Sequence, residues 1–292
     1  MLAKSLGISS EEVNVIFTQP FLVDKVKIAD DIDEVYVVDI AVNNRDVEMT
    51  KKFITKLGDK LVKWYDHHEG WHTTNEKFLH NSSSKSCAEL IFSEITEGLG
   101  NVPTDPDEWA EWVNTEWRAY YYDWMMFLVS NANVADTRKG KLSERAQLIE
   151  NACKASIQDD SIRVAAVKWL LEDENQKSLL ETAAEKYAVI QKETKRLATT
   201  YEVDGNVAFV NTRKGSTKAF DLTQLLLEGQ KKAAFAVAVT VDPRTSEKII
   251  TVATQSDKNL VDLFGLPSGA PFRVTLPVAR LEEALKELKN LN

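Results

Sequence analysis

The run Trp64-Tyr65-Asp66-His67-His68-Glu69-Gly70 places an aspartate and two histidines directly after an apolar segment, Leu61 to Tyr65, that reads as a buried strand. It holds half of the four histidines in the chain. Upstream, Val35-Tyr36-Val37-Val38 is a second apolar run, and it too ends on an aspartate, Asp39. Between the two runs, Val47, Met49, Phe53, Ile54 and Leu57 approximate a helical stripe that Gly58 stops. Apolar strands alternating with helices predict a parallel sheet covered on both faces, and such sheets bind ligands at the carboxyl ends of their strands. Asp39 and Asp66 both fall at such ends.

Working outward from these strands, residues 1–6 read as the last turns of a helix closed by Gly7, and 13–17 (Val-Asn-Val-Ile-Phe) as a further strand. After a polar loop over 72–85, a helix is expected from Ser86 to about Leu99, with serines available as caps. The segment 103–129 reads as a helix carrying Trp109, Trp112, Trp117, Tyr120, Tyr121, Tyr122, Trp124 and Phe127. These aromatics are spread around the helix, which favours burial over a base-stacking platform. Asp136 follows small residues at the end of this segment. Helices over 143–155 and 160–171 and a long, charge-laced helix over 176–199 lead to a separate α+β module beyond Tyr201.

Composition sets outer bounds. With 292 residues, 43% hydrophobic and 28% charged, the sequence is that of a soluble globular protein of one or two domains. It has neither an apolar run of membrane-spanning length nor a signal peptide, so a cytoplasmic protein without membrane contact is expected. Cys87 and Cys153 are far apart and lack metal-ligand spacing, which favours reduced, packed thiols. A net charge of −9, from 45 acidic and 36 basic residues, argues against long duplex nucleic acid as a partner. Phosphorylated small molecules or short oligonucleotides are easier to credit.

Two aspartates and a histidine from neighbouring strand ends can hold a divalent ion through oxygen and imidazole ligands, a set that suits Mn²⁺, with Mg²⁺ as the alternative. Such an ion supplies a nucleophile at neutral pH and polarises a phosphoryl oxygen. If His67 binds the metal, His68 points elsewhere and can meet a substrate phosphate or donate a proton to a leaving group, while Asp66 orients a histidine. A lone aspartate at a strand end is usually a cap or a solvated turn residue, so Asp39 and Asp136 count only as part of a set. His72 and His80, in the polar loop, read as surface residues.

Val38-Asp39, Asp66-His67-His68 and Ala135-Asp136-Thr137, in this order and on these elements, resemble motifs two, three and four of the DHH phosphoesterase superfamily, in its RecJ-like, DHHA1-containing form. That superfamily includes RecJ-type nucleases, oligoribonucleases, cyclic dinucleotide phosphodiesterases, exopolyphosphatases and family II pyrophosphatases. The resemblance implies an α/β fold with a parallel-sheet DHH-like domain over 1–172 that lacks its first strand. A connecting helix over 173–200 and a smaller α+β DHHA1-like substrate-binding domain over 201–292 would follow. It also implies that Asp39 bridges two metals, that His67 and Asp136 bind the second of them, and that His68 faces the scissile phosphate beside Asp66.

The sequence departs from the family pattern in three places. The first motif, a strand followed by an HxDxDG-like turn, would stand ahead of the helix that Met1 to Gly7 appears inside, so the reading is of a misplaced start codon, or of a sheet that is rearranged or borrows a strand. Gln255 occupies a strand end where the family commonly has arginine, and Gly265-Leu266-Pro267-Ser268-Gly269-Ala270 stands in place of a GGGH loop. Arg273 and Lys214, near glycine-containing loops, are the candidate substrate contacts. The expected function is metal-dependent hydrolysis of a phosphodiester or phosphoanhydride, impaired in this chain. The alternative is a catalytically degenerate member that binds nucleotides or a protein, and a homodimer is left open.

Overall fold

In a computed structural model, the described residues are 1–20, 22–42, 47–68, 76–98, 116–137, 139–156, 159–212, 218–229, 233–242, 245–266 and 271–291. They form two compact units, Met1–Leu148 with Arg163–Lys177, and Ile149–Ile162 with Ser178–Asn292.

The first unit is built on a three-stranded parallel sheet, β1 (Val35–Val38), β2 (Leu61–Asp66) and β3 (Phe78–His80), with β2 in the centre. A short opening helix, α1 (Leu2–Ser5), precedes it. The β1–β2 crossover carries α2 (Val47–Leu57), whose stripe buries Phe53 and Leu57 against Val37, Leu61 and Trp64. On the opposite face α3 (Cys87–Gly98) packs Cys87, Leu90 and Ile91 on Tyr65. Successive strand side chains point to opposite faces, so Trp64 serves one helix and Tyr65 the other. The expected doubly covered parallel sheet is present.

Trp64 is the pivot of this core. Only 1% exposed, it stacks on Phe78 at 5.2 Å and meets the edge of Phe53 at 6.3 Å. Its indole Nε1 donates to the Ile40 carbonyl at 2.9 Å, which satisfies its buried polar atom and fixes the chain just after Asp39.

The helix expected around 103–129 is described as α4 (Glu116–Thr137), which runs on through Asp136. Trp109 and Trp112 lie outside the described residues, as do the side chains of Trp117 and Tyr120. Tyr121, Trp124 and Met125 are buried, in line with packing. Helices α5 (Glu144–Ala155), α6 (Asp160–Leu170) and α7 (Lys177–Leu197) follow at the expected places.

Residues 13–17 do not form a strand, contrary to the sequence reading. Ile16 and Phe17 are 49% and 38% exposed, and the Phe17 ring lies 5.6 Å from the Arg163 guanidinium. The segment has strand composition but no ladder to join. Conversely, β3 arises inside a stretch read as polar loop, because pairing with β2 organises it.

The second unit holds a five-stranded mixed sheet in the order β4 (Glu202–Asp204), β5 (Val207–Asn211), β6 (Phe235–Val241), β7 (Lys248–Thr254), β8 (Arg273–Pro277). Only the β5–β6 pair is parallel. In β6, Phe235, Val237 and Val239 face one core, which α9 (Leu260–Leu263) and α10 (Leu281–Lys289) cover through Leu260, Ala284 and Leu288. Ala236 and Ala238 face the other, where α8 (Ala219–Gly229) lays Leu222 and Leu226 against them. Small residues on that face let the helix approach closely.

Candidate functional site

The ends of the three parallel strands set up the site. Register places Val38 beside Tyr65 and Asp66 beside His80, so Asp39, Asp66 and His80 lie at one edge of the sheet. Asp39 has a left-handed backbone (φ 60°), which aspartate tolerates better than most residues, and its amide still donates to the Tyr65 carbonyl at 3.0 Å. The strand ladder therefore holds Asp39 while its φ turns the chain away from the sheet.

The residues after β2 converge on it. His67 Nε2 lies 3.2 Å from Asp39 Oδ1 and 4.0 Å from Asp136 Oδ2, and His67 Nδ1 is 3.3 Å from the Ser84 carbonyl. A carbonyl can only accept, so Nδ1 is the donor in this contact and Nε2 is the ring atom that faces the two carboxylates. One imidazole nitrogen beside two carboxylates is a donor set with the chemistry to attract a divalent cation. Asp136 sits near the carboxyl end of α4, where the helix dipole adds to the negative field. Among the described residues, Asp39, His67 and His68 are the one group of three ligand-type side chains whose ligand atoms all lie within 4.8 Å.

His68 is held differently. Its Nδ1 is 2.7 Å from Oδ1 of the buried Asp66 and 3.9 Å from Asp39 Oδ1. The hydrogen bond to Asp66 raises the His68 pKa above the ordinary imidazole value; burial opposes this, while the charges of Asp66, Asp39 and Asp136 reinforce it. His80, read from sequence as a surface residue, donates from Nε2 to the His68 carbonyl at 2.6 Å. The sequence order of Asp39, Asp66, His67, His68 and Asp136 was thus a guide to proximity: all five come together.

Below the site, Cys87 Sγ contacts the Tyr65 carbonyl at 3.4 Å, and burial pushes the thiol pKa up to about 12. The thiol therefore stays protonated where a free thiol begins to ionise. Iodoacetamide is expected to leave Cys87 unmodified in the native protein and to label it in urea, as read by peptide mass spectrometry.

The two remaining candidates belong to the second unit. Arg273 opens β8 with its guanidinium 3.3 Å from the centroid of the Phe220 ring and 5.8 Å from that of Phe272. Lys214 lies outside the described residues, as do positions 267–270 of the glycine-containing loop.

No protein-family model matches the chain, and no curated protein does. Solved structures do match, and at the identities found they show a likeness of fold. One of them is a pGpG-specific phosphodiesterase, PggH, from Vibrio cholerae, with a TM-score of 0.54 at 14% identity over 99% of this chain and 92% of that one. An exopolyphosphatase-related protein from Bacteroides fragilis aligns with a TM-score of 0.48 at 14% identity, over 87% of this chain and 69% of that one. A putative family II inorganic pyrophosphatase from Methanococcus jannaschii gives 0.27 at 15%, over 99% and 92%.

Proposed function

We propose that the protein is a divalent-metal-dependent phosphoesterase that hydrolyses a phosphodiester or phosphoanhydride in a nucleotide or short oligonucleotide. The observation that carries this reading is the convergence of His67 Nε2 with the carboxylates of Asp39 and Asp136, beside a second histidine held by Asp66. The donor set fits a metal: one neutral imidazole nitrogen and two carboxylates, with the imidazole oriented through its other nitrogen. Asp39, His67 and Asp136 would hold the ion, Mn²⁺ by preference and Mg²⁺ as the alternative. A divalent ion there supplies a Lewis acid for phosphoryl oxygens and a nucleophile at neutral pH.

The chain's own groups do the rest. Asp66 accepts a hydrogen bond from Nδ1–H of His68 and favours the protonated ring, so that Nε2–H is left to give its proton to a leaving oxygen. Arg273 and Lys214 are proposed as substrate contacts in the second unit, with residues 1–172, 173–200 and 201–292 as metal-binding domain, connecting helix and substrate-binding domain. A cytoplasmic location, and association as a homodimer, belong to the same proposal. No described helix is long and apolar enough to cross a membrane. Turnover by this chain is proposed to be slow, in keeping with the departures from the family pattern at Gln255 and over 265–270.

The test is hydrolysis of a linear dinucleotide such as pGpG, and of pyrophosphate, with Mn²⁺, Mg²⁺ or EDTA. Slow turnover of one of them that EDTA abolishes is expected. Binding of Mn²⁺ and nucleotide with no turnover would instead establish the degenerate, binding-only alternative. Protonated His68 as proton donor predicts that the rate falls on the alkaline side of its raised pKa. Asp66→Asn removes the charge that raises it, so the alkaline limb of the kcat profile should move to lower pH.

A further inference from the structure

His67 and Asp136 come from distant parts of the chain, and one closed set of side-chain hydrogen bonds joins their supports. Ser86, 1% exposed, caps α3 by accepting from the Glu89 amide at 3.2 Å. Its hydroxyl donates to Asn133 Oδ1 at 2.6 Å, and Asn133 Nδ2 donates to Glu89 Oε1 at 3.2 Å, closing a ring of three residues. The other Glu89 oxygen accepts from the Lys85 amide at 2.6 Å. Asn133 lies one turn before Asp136 on α4, and Thr137 Oγ1 bonds back to its carbonyl at 2.6 Å. Ser86 lies two residues after Ser84, whose carbonyl sets the ring orientation of His67.

From this arrangement we propose that Asn133 is a positioning residue: through Ser86 and Glu89 it fixes the Asp136 turn of α4 against the segment 84–86 that orients His67. The inference rests on the metal-site reading given above. The chemistry is specific to an amide, because the ring needs an acceptor for Ser86 and a donor for Glu89 on one short side chain. Aspartate would set a second carboxylate against Glu89, and alanine would leave the Ser86 hydroxyl and Glu89 each without this partner. The site then keeps every ligand atom but loses the brace between them.

The experiment measures Mn²⁺ affinity by calorimetry on the full chain for wild type, Asn133→Ala and Met125→Ala. Met125 is buried on the same helix, outside the ring, and serves as the control for lost packing. Asn133→Ala is expected to weaken Mn²⁺ binding about 10- to 100-fold, the range for partners behind a ligand, while Met125→Ala at a similar loss of Tm stays near wild type. Equal effects of the two variants, or wild-type affinity in Asn133→Ala, would overturn the proposal. Should wild type bind no Mn²⁺, the metal reading fails, and the brace is read from ¹⁵N shifts of the His67 ring in metal-free protein. A single Nδ1–H tautomer in wild type that becomes mixed in Asn133→Ala supports it, and identical spectra sink it. If Asn133→Ala does not fold, Ser86→Ala takes its place in both comparisons.

Discussion

Replacing His67 with alanine is expected to lower Mn²⁺ affinity by more than 100-fold and to bring phosphoester hydrolysis to background. Partners behind a ligand are worth roughly 10- to 100-fold in affinity, and a ligand exceeds them. His67 Nε2 is the atom on which Asp39 and Asp136 converge, at 3.2 and 4.0 Å. Without the imidazole, the two carboxylates face each other across a gap with a weaker hold on any ion. The side chain is mostly covered yet outside the main cores, so the fold should survive. Calorimetric titration with Mn²⁺, with circular dichroism to confirm folding, checks the expectation. Wild-type affinity in His67→Ala would remove the metal site from the reading altogether.

The second large effect lies in the core. Trp64→Ala is expected to destabilise the first unit by about 3–5 kcal/mol, the range for deleting a large buried aromatic. It removes the stack on Phe78, the edge contact with Phe53 and the bond to Ile40 together. Trp64→Phe keeps most of the apolar contact and forfeits the indole hydrogen bond, at about 0.5–1.5 kcal/mol. Urea denaturation followed by far-ultraviolet circular dichroism separates the two. Because the Ile40 carbonyl sits next to Asp39, Trp64→Phe should also loosen Mn²⁺ binding more than its small effect on stability suggests.

Much of this architecture was legible because periodicity and burial agree locally. The stripe from Val47 to Leu57 and the apolar runs at Val35 and Leu61 each carry their own signal, and each formed as read. Residues 13–17 misled because composition cannot report whether a ladder partner exists. Phe78–His80 was missed for the opposite reason, since three residues hold no pattern and β2 organises them. In the site, Asp39, Asp66, His67, His68 and Asp136 were readable as an ordered set. The Ser84 carbonyl that assigns the His67 proton was not, because a backbone oxygen has no letter in the sequence. Asn133 was hidden too: its partners are 44 and 47 residues away. The Ser86…Glu89 spacing of a capping box was the one local cue to that network.

The left-handed backbone at Asp39 limits which replacements leave the chain path intact. Alanine, glutamate and branched residues all resist φ 60°, whereas asparagine accepts it with nearly the same shape. Asp39→Asn therefore separates charge from conformation. It offers a folded, uncleaving form of the protein with which to capture and identify an intact natural ligand from a nucleotide mixture.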